Sequence, residues 1–171
     1  MSRKDPGEAF DRGENTLKGW ARIIDRSGTS SRTGISSSSI DFLDFYDYRI
    51  VVCGDRDWKD EQWIWRFLDI RLEKYGVVKM LVAQGDARGA DHCAKMWAEE
   101  RQVDHMSFPA HWRLQRNAAG PIRNRHQLII RPHLVVGFHD DIENSRGTKG
   151  MLKVAKEAGF KTKLRSHRRV T

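Results

Sequence analysis

From Tyr48 onward the chain alternates short apolar runs with stretches whose apolar residues recur at helical spacing. The first run, YRIVVCG over 48–54, has the length and β-branched content of a strand and is bounded by Gly54. Trp63, Ile64, Phe67, Leu68, Leu72 and Tyr75 then share one helical face, with Asp60 placed to cap the helix and Gly76 to end it. VVKMLVA, 77–83, reads as a second strand. Ala90, Cys93, Ala94, Trp97 and Ala98 form the next helical stripe, and HMSFP, 105–109, a weaker third strand. In AGPIRNRHQLIIRP, 119–132, Pro121 suits the first helical position, Ile122, Ile129 and Ile130 share a side, and Pro132 stops the run. HLVVGF, 133–138, predicts a fourth strand; Met151, Val154, Ala155 and Ala158 a last helix ended by Gly159; FKTKL, 160–164, a closing strand. The strand runs are continuous instead of alternating, which means burial on both faces. The pattern therefore predicts an α/β fold, a parallel sheet covered by helices on each side.

The first 47 residues break this rhythm. Leu17, Trp20, Ala21 and Ile24 are spaced for one short amphipathic helix, and SGTSSRTGISSSS, 27–39, has the composition of a flexible linker. Three parts are expected: an arm and linker over 1–47, a ligand-binding domain over 48–165, and a basic tail over 166–171. The net charge of +8 resides in the domain and tail, where 24 basic residues face 15 acidic ones from position 48 on. That excess favours phosphate-bearing partners. No apolar run approaches the ~20 residues of a membrane span and no signal-peptide stretch opens the chain, so a cytoplasmic protein with no membrane partner is expected. The two cysteines, Cys53 and Cys93, lack CxxC spacing and read as free thiols.

In an open parallel sheet, ligands bind outside the carboxyl ends of the strands. The segments predicted there are GDRDW, 54–58, QGDARGAD, 84–91, and HDDIENSRGT, 139–148. Gly54, Gly85, Gly89 and Gly147 allow close backbone approach, while Arg56, Arg88 and Arg146 can clamp phosphate oxygens in bidentate fashion. Asp55 shares the first loop, Ser145 enters the last, and Thr148 offers a hydroxyl. The plainer alternative is that these glycines make turns, that Asp86 or Asp91 caps a helix, and that the arginines are solvated or paired. A fourth segment, HWRLQRNAAGPIRN, 111–124, brings Trp112 as a stacking ring and Arg123 with Asn124 for polar contacts, although a core Trp and a cap-region amide read equally simply. The histidines carry no HExxH spacing, so no dedicated metal centre is expected, and Asp140, Asp141 and Glu143 form one candidate magnesium site bridging to phosphate.

CGDRDW, GDARGAD with the following Ala94, Trp97 and Ala98, then HW, AGPIRN and SRGT occur in the order and approximate spacing of the YspA-type branch of the SLOG superfamily, over about residues 48 to 164. The resemblance implies a Rossmann-like sheet of about five strands, a pocket for a nucleotide or nucleotide-derived ligand, and a homodimer as a common assembly. It implies that Gly147 and Thr148 form the phosphate-cradling turn, with Ser145 and Arg146 at its entry. The superfamily includes phosphoribohydrolases with PGGxGTxxE, where this chain reads ENSRGTKGM and Met151 replaces the glutamate. A thioether cannot serve as the carboxylate that N-glycoside hydrolysis needs. Asp91, Glu143 or Asp55 remain as substitutes, and spacing selects none of them. Three functions follow: nucleotide binding with Asp91 orienting a ribose or water, a nucleoside-monophosphate N-glycosidase using Asp91 or Glu143, and single-stranded DNA binding of the DNA-processing type.

Overall fold

The computed structural model describes residues 42–167; the candidate helix around Trp20, the linker and the last four residues lie outside the described residues. Strand β1 spans Tyr48–Gly54, helix α1 Glu61–Tyr75, β2 Met80–Gln84, α2 Ala90–Glu100 and β3 Asp104–Ser107. A short helix α3, Trp112–Gln115, leads into α4, Ala119–Gln127; β4 covers Leu134–Phe138, α5 Arg146–Glu157 and β5 Thr162–Arg165. The five strands are all parallel in the order β3-β2-β1-β4-β5. The fold is α/β and Rossmann-like, with helices on both faces.

Alternation along the central strands divides the core. Ile50 and Val52 of β1, Val82 of β2 and Val136 and Phe138 of β4 face Ile64, Phe67 and Leu68 of α1 and Ala94 and Trp97 of α2, all nearly inaccessible to water. On the opposite face a Cβ added to Gly137 would meet Thr148 Cγ2 at 2.8 Å and Leu152 Cδ1 at 3.2 Å, so α5 presses directly on β4. Trp97 is wholly buried yet satisfied, its indole N–H donating to Asp69 at 2.8 Å. Truncating it to alanine removes roughly 3–5 kcal/mol of stability.

Local chemistry sets the helix ends. Asp60 accepts from the Trp63 amide and caps α1, while Gly76 ends it at φ 80°, a conformation glycine adopts without penalty. Gly159 follows α5 at φ 83°, again in the positive-φ region that glycine tolerates.

Some predicted boundaries differ. β2 starts at Met80, which pairs with Tyr48, whereas Val77 and Val78 lie in the preceding turn at 40% and 63% exposure. It runs on through Gln84, which is polar but fully buried. β3 ends at Ser107, ahead of Phe108 and Pro109. α4 begins two residues before Pro121, which is tolerated because first-turn amides have no helical acceptor. A 3-10 turn over Leu128–Ile130 follows α4, so Ile130 is buried while Ile129 is 43% exposed, and the two do not share a side. At the other end the sheet domain reaches back beyond Tyr48: Tyr46 is buried and donates its hydroxyl to Asp104 at 2.8 Å.

Candidate functional site

Running outward from β1, the strand order reverses between β1 and β4, which opens a crevice at their carboxyl ends. Gly54 makes the packing there possible: its Cβ would lie 2.4 Å from the Phe138 carbonyl oxygen and 2.5 Å from Ala90 Cβ. The next residue fastens the crevice on both sides. Asp55 N–H donates to Phe138 O at 2.8 Å, and Asp55 O accepts from Ala90 N–H, the first residue of α2, at 3.0 Å. Gly89 stands at φ 73° with Asp55 O only 2.2 Å from its would-be Cβ. The Asp55 carboxylate folds back onto the Asp57 amide at 2.9 Å, a local turn that leaves Arg56 exposed.

The turn after β2 is organised around a buried ion pair. Asp91, 3% exposed, accepts from Gly85 N–H at 3.0 Å and lies 3.6 Å from Arg123 Nη1. Arg123 Nη1 also donates to Gly85 O at 2.6 Å, so one turn residue is gripped through both backbone groups. Arg123 Nε donates to Asn124 Oδ1 at 3.1 Å, and Asn124 Nδ2 donates to Gly147 O at 3.3 Å. This chain of contacts couples the first turn of α2, the β2 turn, α4 and the start of α5. Burial pushes the Asp91 carboxyl up to about 6, against the pull of Arg123 and of the Gly85 and Ala87 amides.

Two clefts open on this framework. One of about 490 Å³ is lined by Arg56, Gly85, Asp86, Arg88, Trp112 and Arg123, among others. The second, about 540 Å³, lies between α4 and α5, and its lining includes Arg56, Trp112, Arg123, Asn124, Arg146 and Gly147. Arg56, Trp112 and Arg123 therefore belong to both. Trp112 is half exposed, with the Arg56 guanidinium carbon 5.8 Å from its ring centroid.

The sequence candidates thus divide by position. Gly85, Arg56, Arg88 and Arg123 meet in the first cleft, and Asn124, Arg146 and Gly147 join Arg56 and Arg123 in the second; Arg88 and Arg146 share no cleft. Gly54, Asp55, Gly89 and Asp91 line neither and act behind the clefts. Ser145 caps α5 by accepting from Thr148 N–H at 3.1 Å, and Thr148 is 3% exposed with its methyl against Gly137, so its side chain belongs to the packing and is not an open ligand hydroxyl. Glu143 is exposed and pairs with Lys149, outside both clefts. Met151 is fully buried core.

The acidic trio does not assemble as a magnesium site. Asp140 accepts from the His167 amide and ring and from Ser166, Asp141 from Asn144 at 2.7 Å, and Glu143 from Lys149. Each carboxylate is drawn to a different donor, and among the described residues no group of three His, Cys, Asp or Glu could hold a metal.

Reading α5 only for its apolar stripe misses cleft residues. Gly150, Lys153 and Glu157 line the second cleft at i, i+3 and i+7, together with Arg125 from α4 and with Val154, which the apolar stripe already contained. The signal was present as a polar face of small and charged residues beside the core stripe.

Among the described residues no helix is long and apolar enough to cross a membrane. The fold is shared with DNA processing protein A from Streptococcus pneumoniae, at TM-score 0.55 and 17% identity over 73% of this chain and 52% of that one. The chain thus spans about half the length of that protein. Gene 61 protein of Mycobacterium phage D29 is 31% identical over 119 residues, which cover 66% of this chain and 91% of the phage protein. Residues 48–114, from β1 through the Trp112 segment, match the model of the YspA, cpYpsA-related SLOG family (YAcAr). The order of these motifs, the five-stranded parallel sheet and the similarity to the phage protein lead to one conclusion: the chain belongs to the YspA, cpYpsA-related SLOG family.

Proposed function

We propose that the domain binds a nucleotide or nucleotide-derived metabolite, with phosphate held by arginines and the base stacked on Trp112. The observation that carries this reading is the half-exposed indole beside Arg56 and Arg123 in a concave site at the carboxyl edge of a parallel sheet. An exposed aromatic ring is a sequence-tolerant platform for a base, and guanidinium groups match phosphate geometry. Arg123 is pre-oriented by Asp91, Gly85 and Asn124, so little side-chain entropy is lost when an anion meets it.

Binding without hydrolysis is favoured over the N-glycosidase reading. Asp91 faces Gly85 and Arg123 from behind, Asp55 accepts from the Asp57 amide and Glu143 pairs with Lys149, so none of the three candidate carboxylates lines a cleft. Single-stranded DNA can use the same ring and cations, and the name of the structural neighbour, DNA processing protein A, supports keeping that partner in the test.

The test is calorimetry of the full chain with nucleoside monophosphates, the matching unphosphorylated nucleosides and a single-stranded oligonucleotide. Monophosphates are expected to bind and nucleosides to bind far more weakly, and Arg56→Ala and Trp112→Ala each to reduce affinity. Equal affinity for nucleoside and monophosphate, or unchanged affinity in both variants, overturns the assignment. Tight, salt-sensitive binding of the oligonucleotide alone transfers the site to DNA.

A further inference from the structure

Each of the two clefts falls within the range that encloses a small ligand, roughly 300–1,000 Å³. They are joined through Arg56, Trp112 and Arg123, and each adds cations of its own: Arg88 in the first, Arg125, Arg146 and Lys153 in the second. We infer that the site is built for a ligand of two nucleotide units joined through phosphate, one unit in each cleft and Trp112 at the junction. This rests on the nucleotide reading above and narrows it to a substrate class.

Three observations support two units over one. Arg88 lines only the first cleft and Arg146 only the second, so each cleft has a guanidinium of its own for a phosphate. Charge points the same way. Arg123 is matched by buried Asp91 and Lys153 by Glu157 at 3.9 Å, whereas Arg56, Arg125 and Arg146 form no ion pair within 4 Å among the described residues, Arg56 feeling the Asp91 charge only at longer range. Arg88 pairs with Asp57 at 3.0 Å, but both side chains are more than 70% exposed, so the pair is weak and the guanidinium can turn to an incoming phosphate. Cations are therefore available on either side of the junction and not clustered at one point. Lastly, Arg123 donates to Gly85 O beside the first cleft and to Asn124 Oδ1 beside the second, and Asn124 in turn holds Gly147 O. One rigid chain of hydrogen bonds fixes the spacing of the two halves.

The experiment compares AMP, the 5′-phosphorylated dinucleotide pApA and the tetranucleotide pApApApA by calorimetry on the full chain. The expected result is one pApA per chain, bound at least about tenfold tighter than AMP because the second unit binds intramolecularly. Arg88→Ala and Arg146→Ala are each expected to abolish that gain; both side chains lie at the surface, and unchanged melting temperatures verify that the variants are folded. AMP binding as tightly as pApA overturns the two-unit inference and leaves the nucleotide reading standing. A further tenfold gain for the tetranucleotide overturns it in favour of an extended strand. Absence of binding by all three overturns the nucleotide reading together with the inference.

Discussion

Arg123 and Asp91 meet behind the clefts: Nη1 stands 3.6 Å from Oδ2, with the two side chains only 14% and 4% exposed. Gly85 lies between them, its amide on Asp91 and its carbonyl on Arg123, so this pair shapes the β2 turn that forms the floor of the first cleft. Removing the cation strands a buried carboxylate. Arg123→Met is expected to lower stability by about 3–5 kcal/mol, read in urea melts, and to weaken nucleotide binding with it.

Asp91 also gives a defined pH dependence. Its folded-state value is raised by burial from 3.8 to about 6, so the native protein holds the proton over a range where the unfolded chain has released it. The contribution of this group to stability is therefore greatest below 3.8 and declines as pH rises towards 6. Subtracting the stability-versus-pH curve of Asp91→Asn from that of the natural chain isolates this decline. A flat difference between pH 4 and 6 contradicts the assignment.

The glycines separate packing from ligand approach. A Cβ on Gly85 would sit 1.6 Å from Arg123 Nη1, and one on Gly54 would strike the Phe138 carbonyl and Ala90 Cβ, while one on Gly147 meets nothing within 4 Å. Gly54→Ala and Gly85→Ala are expected to cost about 1–3 kcal/mol in chemical denaturation. Gly147→Ala, inside the first turn of α5, is expected to keep or raise stability by up to about 1 kcal/mol, yet to reduce nucleotide affinity because its methyl enters the second cleft.

Trp112→Ala tests the stacking platform. At half exposure the ring contributes little to the core, so melting should be unchanged, whereas binding should weaken by about 1–3 kcal/mol. Trp112→Phe should recover part of that loss, which distinguishes stacking from simple cleft closure.

His167 fastens the end of the described chain to two carboxylates. Its Nδ1 lies 2.9 Å from Asp140 and its Nε2 3.0 Å from Asp60, and the ring stacks on Trp58 at 4.6 Å. Hydrogen bonds from Asp140 and then Asp60 raise the imidazole above its ordinary value. The Asp60 carboxyl is lowered, chiefly by His167; for Asp140 burial works upward, but the hydrogen bonds from His167 and Ser166 together outweigh it and lower it. The histidine contribution is complete below 6.5 and lost as pH rises through its raised value, while the carboxylate contributions are present above 3.8 and lost as pH falls. Amide exchange at His167, whose N–H donates to Asp140 at 2.6 Å, should be slowest between those limits after correction for intrinsic exchange, and accelerate on either side. Exchange in Asp140→Asn that matches the natural chain across the range contradicts this.

Much of the fold is legible in residue order because its signals are local. The YRIVVCG strand, the Asp60 cap and the Gly76 stop depend on β-branched content, a short acceptor and a left-handed φ, which neighbouring residues alone dictate. The same reasoning extended β2 into Val77 and Val78, because apolar identity does not reveal whether a neighbouring strand is present to pair with it. The glycine and arginine turns at the strand ends, the SLOG resemblance and the parallel α/β class were also determined by sequence. Which turns share a cleft was not. That depends on the order β3-β2-β1-β4-β5, which joins Arg56 to Trp112, sends Asp91 behind Arg123, packs Thr148 on Gly137 and separates Arg88 from Arg146. Side-chain type is a property of the chain, but burial and partnership arise only when distant segments pack, and they decide which polar residues face a ligand and which hold the scaffold.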